Sequence, residues 1–227
     1  MADDNRPLKY MKYAIGEIVL VVIGILIALS INNWNQERIS KNNAYAFLNQ
    51  INKDLSSDIM YFDFLIKNSL EVSLIFDNVV TSSTKNDTLL KKLGSVLTVN
   101  WDQREYGPSY KSFVNSGDID LIEDKKLLFK LQGYYNFSTR ALNNLTEYHK
   151  NLNIHNIEGK LIQTLVTKED GTYSLESMKK EINSGNLKSI INYQNNFFKN
   201  LITGFERTKK DAQELQELIK ALEITKS

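Results

Sequence analysis

The residues able to do chemistry are few. His149 and His155 are the only imidazoles in a chain of 227 residues that has no cysteine. Six positions apart, they fall on different sides of a helix instead of at chelating spacing. His155 and Glu158 are three apart, but the second carboxylate–histidine set that a di-iron helical site needs is not present. Without a thiol there is no disulfide, thiolate zinc centre, iron–sulfur cluster, cysteine nucleophile or lipidated cysteine. No Gly-rich phosphate loop, G-x-S-x-G elbow or H-E-x-x-H stretch occurs either. The pattern predicts no enzyme, no metal and no cofactor, because no constellation meets the requirements of a catalytic site. His149 lies on an apolar seam and is expected inside, hydrogen-bonded.

Charge excludes another class. Lys plus Arg number 28 against 27 Asp plus Glu, a net charge of +1, so nothing draws the chain to nucleic acid. Pairs such as Lys125-Lys126 and Lys209-Lys210 alternate with acids and read as solvated helix faces. Asp118/Asp120 and Glu123/Asp124 precede a helical pattern, where carboxylates cap free amides.

The most irregular stretch runs from Asn100 to Tyr110 and contains Trp101, Arg104, Tyr106, a Gly-Pro turn and Tyr110. Functional residues concentrate on such loops, so these four side chains form a candidate interaction loop. The alternative is that the aromatics cap the hydrophobic end of the helical body.

The elements that position these residues are helices. Prolines occur only at 7 and 108, which leaves long segments free of breakers. Ala44, Leu48, Ile51, Leu55, Ile59, Phe62, Ile66 and Leu70 predict one amphipathic helix, ended by the polar turn 81–87. Leu187, Ile191, Gln194, Phe198, Leu201, Phe205, Thr208, Ala212, Leu215, Ile219 and Leu222 alternate steps of four and three, a coiled-coil seam. A third long helix begins near Glu123 and Asp124. Its seam is Leu128, Leu131, Tyr135, Ser138, Leu142, Leu145, His149 and Leu152, continuing in shifted register through Ile154, Ile157, Leu161 and Leu165. Short helices are expected over 89–97, 109–115 and 175–182, with Gly117 and Gly185 as stops. The one plausible strand is 96–100. The expected fold is all-α: an N-terminal transmembrane helix, then an elongated antiparallel bundle of three long helices with short connecting helices.

Ala14 to Ile31 is an apolar run of eighteen residues whose sole charge is Glu17. Roughly 27 Å long as a helix, it reaches bilayer thickness when extended from Tyr13 to Trp34. Arg6, Lys9 and Lys12 before it favour a cytoplasmic N-terminus and an external body. The division is then 1–13 cytoplasmic, 14–34 transmembrane and 35–227 extracytoplasmic. A cleaved signal at Ala28-Leu-Ser30 is the competing reading. Gly16, Gly24 and Ala28 share a face, with Glu17 close to it, so the anchor could self-associate. Alternatively Glu17 snorkels to the headgroups from the first turn.

The stretch Gly16-Glu-Ile-Val-Leu-Val-Val-Ile-Gly-Ile-Leu-Ile-Ala-Leu-Ser-Ile-Asn-Asn-Trp-Asn35 resembles the signature of a membrane-protein family of Bacteroidota defined as a domain of unknown function. Ser109–Gly117, Leu121–Leu127 and Gly133-Tyr-Tyr135 are similar to the body pattern of that family. The resemblance implies a single-pass inner-membrane protein with a periplasmic domain, and no known activity or cofactor. The expected partners are the lipid bilayer and a protein partner or a second copy. A membrane-anchored interaction or scaffold protein is thus the leading expectation. The alternative is an extracytoplasmic small-molecule-sensing bundle that acts through a partner membrane protein.

Overall fold

A computed structural model describes residues 6–82 and 85–224, with side chains over 11–82 and 85–222. Helix α1 (Arg6–Thr81) is a single rod of 76 residues. Pro7 sits in its first turn, where a missing amide costs nothing, and no later proline interrupts it. Its N-terminal part is exposed from Met11 to Asn33, and one side or another packs from Ala44 onward. It is the one described helix long and apolar enough to cross a membrane.

The interior positions of α1 are Ala44, Leu48, Ile51, Leu55, Asp58, Phe62, Leu65, Ser69, Val72, Phe76 and Val79. They alternate steps of four and three, a heptad seam, and Ser73 is buried beside Val72, its hydroxyl donating to Asn195 Oδ1 (2.7 Å). This corrects the seam expected beyond Leu55: Ile59 and Ile66 are half-buried and Leu70 is exposed, because Asp58 and Ser69 hold the interior positions. Helix α8 (Asn186–Ile224) has the matching seam, buried from Leu187 to Ile219. The two run antiparallel. Asn195 Nδ2 donates to Asp77 Oδ1 (2.6 Å), Lys209 pairs with Asp63 (2.6 Å), and Gln216 Nε2 donates to the Asn52 carbonyl (3.0 Å).

The third long helix is continuous but changes pitch twice. α4 (Lys125–Gly133), α5 (Thr139–Leu152) and α6 (Glu158–Thr164) are joined by π-turns at Tyr134–Ser138 and Asn153–Ile157. Asp124 is its N-cap, accepting from the amides of Lys126 (2.8 Å) and Leu127 (3.1 Å). Buried His149, Asn153, Ile157, Leu161 and Leu165 are spaced by fours. Each step of four overshoots an α-helical face by about 40°, and a wider π-turn absorbs the drift. The register shift after Leu152 therefore puts Asn153 inside and leaves Ile154 exposed, the reverse of the expectation.

This helix runs in the same direction as α1, which corrects the expected antiparallel order: of the three long helices only α8 is antiparallel to the other two. Tyr134 lies beside Asp58, Lys130 pairs with Glu214, and His149 meets Gln194. Two consecutive long helices can be parallel only if the connector returns the full distance, and it does. Trp101 reaches Ser69, Arg104 reaches Asp58, Ser109 reaches Asp54, Phe113 stacks on Phe47, and Glu123 reaches Lys41. Helix α3 (Pro108–Ser116) and a 3₁₀ turn (Asp118–Leu121) lie within this strap.

Where α1 ends, α2 (Asp87–Val96) and α7 (Leu175–Ser184) close the body. Gly117 and Gly185 terminate α3 and α7 at φ +78° and +93°, the left-handed conformation expected of stops. Among the described residues no strand forms. Residues 96–100 are helix end and coil, and the single β-bridge joins Thr167 to Tyr173.

Candidate functional site

The strap carries the candidate loop, and its side chains turn inward. Asn143 pins the backbone of Arg104 from both sides: its Oδ1 accepts from the Arg104 amide (3.3 Å) and its Nδ2 donates to the Arg104 carbonyl (2.9 Å). The guanidinium is thereby held 3.3 Å from Asp58 Oδ1 and 3.0 Å from Ser57 Oγ, over the ring of Tyr61 (4.7 Å). Tyr134 Oη donates to the other Asp58 oxygen at 2.9 Å. Tyr106 is buried and stacks on Phe62, and Tyr110 stacks on Tyr135 at 4.5 Å. Trp101 donates its indole N–H to Ser69 Oγ (2.9 Å) and meets Phe198 edge-on.

Gly107 is required between Tyr106 and Pro108 on two counts. Its φ is +65°, and a Cβ there would fall 2.5 Å from the Tyr135 ring. Burial pushes the Asp58 carboxyl up to about 6, against the opposing pull of the Tyr134 hydroxyl and the Arg104 guanidinium. Burial raises the Tyr106 and Tyr134 phenols as well, so both are neutral.

A second polar cluster lies farther along the same helix. His149 is 1% exposed and stacks on Phe197 at 4.3 Å. Its Nε2 is 2.7 Å from Gln194 Oε1, an acceptor only, so this nitrogen carries the proton. Gln194 Nε2 donates to the Leu97 carbonyl (2.9 Å) and to Asn153 Oδ1 (2.6 Å), and Asn153 Nδ2 donates to Asn100 Oδ1. Burial lowers the His149 pKa, with the Gln194 bond pulling the other way. Each cluster sits at a π-turn: Tyr134 opens the first and Asn153 the second. A π-turn swings its side chains off the α-helical register, a device frequent at functional sites.

The structure brings Arg104, Tyr106 and Tyr110 together along the flank of α1 and sets Trp101 farther up the same flank. The aromatics line the side of the body, which corrects the expectation that they cap its end. Beside them an open groove of about 730 Å³ lies between α1 and α3, floored by Phe47 and edged by Gln50, Ser109 and Ser112. Gly16, Glu17, Gly24, Ala28 and Trp34 are all exposed on α1, and a Cβ added at Gly16 or Gly24 would meet nothing within 4 Å.

Sequence reasoning missed Asp58, Ser69 and Tyr134. The signal for Asp58 and Ser69 was present: unbroken heptad counting from Ala44 lands on both. Asn143 had no comparable signal, because its role depends on a backbone 39 residues away.

These features define an all-α protein with an exposed apolar segment leading directly into a packed helical body. The chain belongs to DUF6090, a family of unknown function whose profile matches residues 17–203. The match starts inside the apolar segment and ends in α8, so both parts are features of the family. No curated protein and no solved structure matches the chain.

Proposed function

We propose that this is a single-pass membrane protein that acts by interaction rather than catalysis, with residues 14–34 as the anchor and 35–227 as an extracytoplasmic helical bundle. One observation carries the reading: Met11 to Ile31 is exposed throughout, yet belongs to the same unbroken helix that supplies the body's seam. An apolar surface of this length is stable in hydrocarbon and costly in water. Arg6, Lys9 and Lys12 favour a cytoplasmic N-terminus by the positive-inside rule, which puts the body in the periplasm and the anchor in the inner membrane. Trp34, with Arg38 over its ring at 5.4 Å, suits the outer interface.

The buried ionisable groups support interaction over catalysis. The Asp58 carboxylate is taken up by Arg104 and Tyr134, and His149 by Gln194. The exposed Gly16, Gly24 and Ala28 favour association of anchors as the route to a homo-oligomer.

Because the chain lacks cysteine, topology can be mapped directly. Single Asp3→Cys and Glu169→Cys variants are treated, in intact spheroplasts, with a membrane-impermeant maleimide. Labelling at position 169 alone is expected. Labelling at position 3 alone overturns the orientation, and a soluble product that begins near Ile31 overturns the anchor.

A further inference from the structure

At the end of the body where α1 stops, α2, the turn 167–173 and the start of α7 enclose a cavity of about 530 Å³. That volume is within the range of small-molecule sites. Its floor is apolar, made by Leu90, Tyr173 and Met178. Gly94 keeps the floor open: a Cβ there would sit 3.8 Å from the Tyr173 ring and 3.9 Å from the Met178 methyl, so a larger side chain would fill the space.

Two cations, Lys91 and Lys168, line the cavity from elements 77 residues apart. Among the described residues neither ammonium is ion-paired. Asp87, one helical turn before Lys91, is instead bound to Lys179 at 2.8 Å. Asp170 also lines the cavity, but its carboxylate accepts from the amide and hydroxyl of Thr172 (2.9 and 2.6 Å). The turn that carries Lys168 is preorganised: its amide donates to the Thr172 carbonyl (2.8 Å), the Gly171 amide donates back to Lys168 (3.0 Å), and Gly171 has φ +79°. The lining thus carries two cations against one carboxylate, and an organic carboxylate with an apolar body would balance that excess while covering the floor.

We propose that this cavity binds a small organic carboxylate, its apolar body on Leu90, Tyr173 and Met178 and its charge toward Lys91 and Lys168. The inference does not rest on membrane insertion, since the site lies at the opposite end of the body from the apolar segment. It adds a ligand to a protein otherwise read as an interaction module.

Methionine provides the test. The four methionines are Met1, Met11, Met60 and Met178, so methyl-labelled protein reports the cavity through Met178 and a remote helix face through Met60. The full chain in lipid nanodiscs is titrated with 4-phenylbutyrate, and in parallel with the uncharged 4-phenylbutanol. A saturable shift of the Met178 methyl with the acid is expected, with Met60 unmoved and the alcohol about tenfold weaker. A Lys91→Gln/Lys168→Gln variant, altered only at exposed positions, should weaken acid binding by at least about tenfold. Gly94→Leu should abolish it. No shift at Met178, equal shifts at Met60, or equal binding of acid and alcohol would each overturn the proposal.

Discussion

The two polar clusters of the third helix solve one problem in opposite ways. At Tyr134 the interior holds a charge: Asp58, whose partner Arg104 keeps one side in solvent. At Asn153 it holds none: His149, Gln194 and Asn153 are all at most 1% exposed and satisfy one another as neutral groups. A buried carboxylate needs a cation with access to water, whereas an amide–imidazole network needs only complete pairing. The Asp58 cluster should therefore tolerate loss of a partner, and the His149 cluster should not.

The harshest trial of that contrast is Gln194→Leu. It orphans the Leu97 carbonyl, the Asn153 amide oxygen and the His149 N–H together, all inside the body. A loss of about 3 kcal/mol in denaturant unfolding is expected. A cost near that of an ordinary surface change would erase the distinction.

Next in size is the dependence on pH, where the clusters should have opposite signs. Asp58 binds its proton more tightly folded than unfolded. Its contribution is complete below 3.8 and is lost as pH rises through about 6, a change of up to about 3 kcal/mol. His149 binds its proton less tightly folded than unfolded. Its contribution is complete above 6.5 and is lost as pH falls through its lowered folded value. Asp58→Asn should remove the first slope and leave the second, as read from chemical denaturation across the pH range. If both slopes persist, Asp58 is not the group that titrates.

A smaller effect is expected from Arg104→Gln, about 1 kcal/mol, because the guanidinium is partly solvated and Tyr134 still serves Asp58. The same variant should raise the Asp58 pKa further, a shift that carboxyl-carbon NMR would register. Ser69→Ala, which frees only the Trp101 indole N–H at a half-buried site, should cost less still, about 0.5–1 kcal/mol by thermal unfolding.

The α8 seam is legible in full from sequence because its interior is apolar apart from Gln194, Asn195 and Thr208. The α1 seam is legible to Leu55 and again at Phe62, and not between or after them. Beyond Leu55 an apolar residue follows each polar interior position: Ile59 follows Asp58, and Leu70 follows Ser69. Hydrophobic counting drifts onto those neighbours. What admits Asp58 to the interior is Tyr134, 76 residues on, and what admits Ser69 is Trp101, 32 residues on. Neither partner can be inferred from local periodicity. For the same reason the irregularity of residues 100–110 was visible, but their course along α1 was not. Leu70→Gln tests the corrected seam and should change stability by less than about 0.5 kcal/mol.

The unbroken course of α1 has a mechanical side. No proline, glycine pair or π-turn separates the apolar segment from the seam, so there is no hinge between them. From Ile31 to Thr81 the helix is a stiff arm of roughly 75 Å, and a tilt of about 5° at its base carries the far end sideways by about 6 Å. The cavity beside α2 rides on that end. Any torque applied to the apolar segment is delivered there as displacement, and a load on the far end returns along the same mast.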